Sequence, residues 1–169
     1  MEKHDHGVLG KVTQYGFEYD SSMLFPIARQ EGRKALSISE PLLFYGVDRW
    51  TAYELSWLNQ KGVPQVALGE FEFPCTSPAI IESKSLKLYL NTFNQTCFES
   101  IDTVSATIKN DLSKVCGAEV NVTLYRLDEY LPSSLRDYQC IDQLPVSCNQ
   151  YLPDATVLKC RSTHGSPPL

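Results

Sequence analysis

The segment 51–73 constrains the fold more than any other part of the chain. Thr51-Ala52-Tyr53-Glu54-Leu55-Ser56-Trp57-Leu58 puts Thr51, Tyr53, Leu55 and Trp57 on one parity, the alternation of a strand with one buried face and aromatic weight. Asn59-Gln60-Lys61-Gly62 follows as turn chemistry, with Gly62 able to take a positive φ. Val63 to Phe73 (VPQVALGEFEF) then continues as a second extended run. Pro64 near its start is tolerated at a strand beginning or edge. Two such runs joined by a short turn predict a long β-hairpin.

Past Pro74-Cys75-Thr76-Ser77-Pro78 the period changes. From Ser85, Leu86, Tyr89, Leu90 and Phe93 recur at threes and fours, which is one face of a helix. Thr96-Cys97-Phe98-Glu99 has the spacing of a capping box, and the helix it would open buries Ile101, Val104, Ile108, Leu112 and Val115 before Gly117 stops it. Val120 to Leu127 alternates again and predicts a third strand, with a fourth around Cys140 to Leu152. The first forty-odd residues read as an irregular segment that wraps a core, and Arg161 to Leu169 as a loose tail. Strands interrupted by a helix pair predict an α+β fold, an antiparallel sheet with both helices on one face.

Composition narrows the function. With 169 residues the chain is near one ordinary domain and able to bury a real core. Its 15 Lys+Arg against 20 Asp+Glu give a net charge of −5, which argues against a duplex DNA binder with a broad basic face. Apolar runs fall far short of the roughly 20 residues that cross a bilayer. The N-terminus shows no signal-peptide core, so a cytoplasmic location is expected and the six cysteines read as thiols. No CxxC pair is present, and His4 and His6 alone make a poor metal site.

One stretch stands apart: Ile81-Glu82-Ser83-Lys84-Ser85-Leu86-Lys87-Leu88-Tyr89, at a loop-to-helix junction. It offers a carboxylate, hydroxyls, amines and helix N-terminal amides within about a turn. Ser83 and Lys84 could hold a phosphate there, and Glu82 could accept two parallel hydrogen bonds from the amine edge of a guanine-like base. The plainer reading is a capped amphipathic helix start with solvated lysines.

The run ESKSLKLYL resembles a known family. So do Leu9-Gly10-Lys11, Tyr53-Glu54-Leu55-Ser56-Trp57-Leu58-Asn59, Lys61-Gly62, Pro64-Gln65-Val66-Ala67 and Asn91-Thr92-Phe93-Asn94-Gln95. The family is the NADPH-dependent 7-cyano-7-deazaguanine reductases, the nitrile reductases of queuosine biosynthesis and tRNA modification, in their long, two-module form. The resemblance runs from about Leu9 to about Asp142. It implies the tunnelling fold, whose modules close side by side into barrels. It also implies reduction of a nitrile to an aminomethyl group by two hydride transfers from NADPH, a cysteine thiolate adding first and an aspartate supplying protons. By motif, Ile81, Glu82 and Ser83 would contact substrate, and Ser83 with Lys84 would contact NADPH, Lys84 as a compact charge beside phosphate.

The same resemblance marks what this stretch of chain lacks. The catalytic cysteine, the aspartate, a His-Glu pair and an Arg-Gly belong to the family's second module. Here Trp57-Leu58-Asn59-Gln60-Lys61-Gly62-Val63-Pro64-Gln65 holds no cysteine, and Gln65 stands where the aspartate would be. Phe93-Asn94-Gln95-Thr96-Cys97 replaces the Phe-His-Glu segment. No catalytic residue is therefore assigned, Cys75 being the best substitute thiol but without a visible base. The expected organisation is a wrapping segment over 1–45, a tunnelling-fold first module over 46–152 and a tail over 153–169. Such a chain would supply half of a site and be inactive alone, pairing with 7-cyano-7-deazaguanine and with a second copy or second module. The competing reading is a non-catalytic assembly module or truncated product that needs a partner carrying the cysteine. A zinc-dependent cyclohydrolase of the same fold would need a Cys/His cluster that is not seen.

Overall fold

The expected hairpin forms and organises the rest. In the computed structural model, which describes residues 18–130, 142–143, 145, 147, 149–152 and 154–157, strand β2 (Val47–Leu58) pairs antiparallel with β3 (Pro64–Pro74), from Val47 opposite Pro74 to Leu58 opposite Pro64. Asn59 closes the turn: its Oδ1 accepts from the amides of Lys61 at 2.9 Å and Val63 at 3.0 Å. Gly62 takes φ +73°, a left-handed value that side chains resist. The predicted third strand is β5 (Asn121–Tyr125), antiparallel to the far side of β3, giving the order β2-β3-β5.

The parity expected over 51–58 is not continuous. Ala52 lies opposite Gly69 and Leu55 opposite Ala67, so Tyr53 and Glu54 share one place on the partner strand. This is a β-bulge, which adds a residue and switches the face that follows. Trp50 and Ala52 pack on the core before it, Leu55 and Trp57 after it, and Tyr53 is left 68% exposed. Next to the bulge, opposite Ala52, a Cβ at Gly69 would lie 3.0 Å from Phe71 Cζ and 3.1 Å from Leu124 Cδ2, so a larger residue there would press on both side chains.

Both predicted helices are present. Helix α2 (Ser83–Asn91) turns Leu86, Tyr89 and Leu90 inward, and Phe93 follows them into the core. Helix α3 (Ile101–Cys116) buries Val104, Ile108, Leu112 and Cys116 at successive steps of four. It ends on Gly117 at φ +74°, whose amide reaches Ser113 O at 3.0 Å. These stripes cover the sheet face formed by Leu55, Trp57, Ala67, Phe71 and Phe73. Each fully buried large side chain contributes about 1.5–3 kcal/mol.

The capping box is a correction. Ser100, not Thr96, caps α3, its Oγ accepting from the Thr103 amide at 3.2 Å. The chain cannot turn helical sooner because residues 96–98 are bound along the end of β2: Leu58 N donates to Thr96 O and Phe98 N to Leu58 O. Thr96 instead donates its hydroxyl to Thr92 O and accepts from the Tyr19 amide.

The segment read as irregular contains β1 (Pro26–Ala28), α1 (Arg29–Ala35) and, by pairing, requires β4 (Ala79–Ile81). None of these short pieces has a pattern of its own, and α1 buries no residue. The chain divides into two units, Met1–Leu131 and Pro132–Leu169. The second shows, among its described residues, a turn at 142–143 and a short 3-10 helix at Ala155–Val157, begun by Asp154. The fourth strand expected around Cys140 to Leu152 is not seen among the described residues there, 142–143, 145, 147 and 149–152, none of which is in a strand. Leu9 to Lys11, His4, His6 and the tail also lie outside them.

Candidate functional site

The start of α2 is built from both sides. β4 delivers the Ile81 side chain into the core, where it is 1% exposed. Glu82 is the N-cap and is itself 6% exposed. Its Oε1 accepts from the Lys84 amide at 2.9 Å and its Oε2 from the Ser85 amide at 2.7 Å. Ser85 closes the turn from below, donating to Glu82 O at 2.7 Å while accepting the Phe25 amide at 3.0 Å. Glu82 N in turn donates to Phe25 O at 2.9 Å.

Two consequences follow. The amides of Lys84 and Ser85, which the sequence reading left open to a phosphate, are taken by a carboxylate of this chain. The negative charge that a helix N-terminus favours is here supplied in part by Glu82 itself. The carboxylate itself is not saturated. Its two oxygens carry about four acceptor positions, of which the two amides use one on each oxygen.

A cleft of about 340 Å³ opens beside this turn. One wall is the bulge, Trp50 to Glu54; the other is the α2 face carrying Ser83, Lys87 and Asn91, with Leu86, Leu90 and Phe71 as floor. The structure thus brings Ser83 to the cleft and leaves Ile81, Glu82 and Lys84 outside its lining, Glu82 being the buried N-cap of the helix that forms one wall. Lys87, Asn91, Tyr53 and Glu54 were not singled out from the sequence. The i, i+4 step from Ser83 to Lys87 was a usable signal; the bulge that turns Tyr53 and Glu54 out was not.

What fixes this wall is a buried anchor. Asp111 of α3, 7% exposed, accepts at Oδ2 from Tyr89 Oη and from Tyr19 Oη, each at 2.6 Å. Burial, and then the bond to the carboxylate, raises both phenols, Tyr19 to about 12 and Tyr89 further. Tyr19, Tyr89, Phe93 and Phe98 meet in edge contacts, with Phe93 stacked on Phe98.

A second cleft, about 530 Å³, lies between the hairpin turn and the start of α3, lined by Trp57, Asn59, Gln65, Glu99, Arg126 and Asp128 among others. Gln65 therefore does face a cleft, but not the one beside Glu82. Cys75 is half-buried and Cys97 exposed, and neither lines either cleft; Cys116 is core. Among the described residues no group of three or more His, Cys, Asp or Glu could hold a metal, and no helix is long and apolar enough to cross a membrane.

Comparison with known proteins points the same way. Residues 15–124 match the family model for nitrile reductase, 7-cyano-7-deazaguanine-reductase N-term. An NADPH-dependent 7-cyano-7-deazaguanine reductase of Desulfotalea psychrophila is 51% identical over 154 residues, and one of Paraburkholderia phymatum is 47% identical over 153. Each alignment covers 89% of this chain and 56% of that protein. A Burkholderia pseudomallei reductase aligns over 98% of the chain and 60% of its own length at 45% identity. The chain spans little more than half the length of the relatives it matches.

Proposed function

Because the chain belongs to the N-terminal family of 7-cyano-7-deazaguanine nitrile reductases, we propose that it serves the NADPH-dependent reduction of the 7-cyano-7-deazaguanine nitrile by supplying the Glu82-Ser83-Lys84 half of the site. The observation that carries this reading is a buried carboxylate, Glu82, capping the helix whose first residue, Ser83, lines an open cleft. Glu82 takes the paired N–H edge of the deazaguanine, and the Ile81 backbone and the Ser83 hydroxyl flank it. NADPH fits the site only through side chains, since the Glu82 carboxylate occupies two first-turn amides; Ser83 and Lys84 hold it, and when bound it supplies hydride. The thiol nucleophile comes from another module, no described cysteine lining the cleft.

The α+β layout, with α2 and α3 on one face of an antiparallel sheet, supports the tunnelling fold for this module. β2 and β5 are the edges of the described sheet, and open edges are templates for a further strand, so a second copy or second module docks there. The setting is cytoplasmic. Mixing the purified chain with 7-cyano-7-deazaguanine should leave its intact mass unchanged, while adding a module that carries the catalytic cysteine should start NADPH consumption. A stable adduct on a cysteine of this chain would overturn the half-site reading.

A further inference from the structure

We infer that Arg29 is a positioning residue for the base-binding turn, holding Glu82 and the start of α2 against the bulge that forms the other wall of the cleft; the inference rests on the half-site reading above. β4 leads straight into Glu82, yet it lies outside the three-stranded sheet. Among the described strands it pairs with β1 alone, Pro26 opposite Ile81 and Ala28 opposite Ala79. Phe25, just before β1, brackets the turn itself: its carbonyl accepts from the Glu82 amide and its amide donates to Ser85 Oγ. Where residues 25–28 go, Glu82 goes with them.

That segment has little apolar hold. β1 is exposed along its length and α1 buries no residue. Leu24 pins the leading end in the core, and Arg29 holds the other. The Arg29 side chain is 13% exposed. Its Nε donates to Ser77 Oγ at 2.9 Å, and its Nη2 to the Asp48 carboxylate and, at 3.4 Å, to Pro74 O. The Arg29 amide adds a bond to Pro78 O at 3.0 Å. Ser77, fully buried, passes the link on to Ala79 O of β4 at 2.8 Å. Asp48 lies two residues before Trp50, where the bulge wall of the cleft begins. One guanidinium thus ties the wall made by β2 to the strand that delivers Glu82. Its fixed fork of donors meets several acceptors at once, which a single ammonium does less well. Arg33 is the internal contrast, because its side chain bonds to Cys75 O and Glu40 instead of to β2 and β4.

Two readouts on the full chain separate positioning from general stability: calorimetric titration with 7-cyano-7-deazaguanine, and amide hydrogen exchange without ligand. Arg29→Gln should bind about tenfold more weakly, the scale of one well-placed hydrogen bond lost. Arg33→Gln removes the same charge and should stay within about twofold of wild type. In Arg29→Gln the Glu82 amide should exchange faster while the middle of α3 keeps its protection, a local opening rather than a global one. Should Arg29→Gln fail to fold, Ser77→Ala cuts one link of the same chain and should weaken binding about threefold. Wild-type affinity in the folded Arg29→Gln or Ser77→Ala protein, or equal losses at Arg29 and Arg33, would overturn the role of Arg29 and leave the half-site reading intact. If the folded wild type leaves 7-cyano-7-deazaguanine unbound, the half-site reading falls, and faster exchange at Glu82 in Arg29→Gln still identifies Arg29 as what holds the turn.

Discussion

The larger of the two clefts is the less equipped for chemistry. At about 530 Å³ the cleft beside the hairpin turn exceeds the 340 Å³ one beside α2, yet its polar groups answer one another. Asn59 is engaged by the Lys61 and Val63 amides, the Gln65 amide donates to Pro64 O at 2.9 Å, and Arg126 sits 3.9 Å from Asp128. Beside α2 the polar groups are left open in front: Ser83 and Lys87 face the space and Tyr53 stands exposed, with Glu82 buried outside the lining as the helix cap. Hydrogen-bonding capacity not used within the fold, rather than the volume of the cleft, makes the smaller cleft the better candidate site.

The sharpest way to break this contrast is to release the anchor behind the α2 wall. Asp111→Ala leaves the buried Tyr89 hydroxyl without its acceptor and frees Tyr19. It should cost about 2–4 kcal/mol of stability, read as a lower urea midpoint, whereas Asp111→Asn, which keeps an acceptor oxygen, should lose much less. Equal losses would show that Asp111 does not act through these bonds. The same anchor has a pH signature. Tyr19 is held protonated to about 12 against an ordinary value near 10. Its contribution is complete below pH 10 and is lost as pH rises toward 12, because the unfolded chain releases that proton first. Tyr89 is raised in the same sense. Stability should therefore fall across pH 10 to 12, and Tyr19→Phe should flatten part of that fall.

Next in size is the cap of α2. Glu82→Ala orphans two first-turn amides and should cost about 1–2 kcal/mol. Glu82→Gln, which keeps one acceptor oxygen for an amide, should hold most of that stability yet lose the paired acceptor edge. A calorimetric titration with 7-cyano-7-deazaguanine separates the two roles: Gln should fold like wild type and bind weakly. If Gln binds as wild type does, Glu82 is a cap and nothing more.

These residues also show how far the sequence could be read. The hairpin, the α3 stripe, the Gly117 stop and the special character of Glu82-Ser83-Lys84 are local signals, carried by period or by turn chemistry. The bulge is not local, since it depends on which residue of β3 faces Ala52 and Leu55, and Gly69 is its only trace in the sequence. The misplaced cap of α3 has the same origin: Thr96 and Ser100 are both good caps, and the pairing of residues 96–98 with the end of β2 decides between them. The Tyr19–Asp111 bond joins residues 92 apart, beyond the reach of any window. Glu82 shows the subtler gap. Its residue type suits both a cap and a base-binding carboxylate; the geometry shows the cap, and the Glu82→Gln titration tests the other role.

The smallest expected effect tests the other side of the comparison. Arg126 is the cation of the larger cleft, as Lys87 is of the smaller, and a view of anion binding based on charge and volume alone would favour Arg126. Its surroundings say otherwise. Asp128 pairs with it, Glu99 shares the lining, and the guanidinium is largely exposed, where an ion pair contributes little and salt screens the rest. Two carboxylates against one cation give this cleft no net attraction for phosphate. Arg126→Gln should therefore leave stability within about 0.5 kcal/mol and NADPH affinity, read by equilibrium titration, within about twofold of wild type, beside the roughly tenfold loss expected for Lys84→Gln. A larger loss at Arg126 than at Lys84 would move the nucleotide to the hairpin end and reverse the roles assigned to the two clefts.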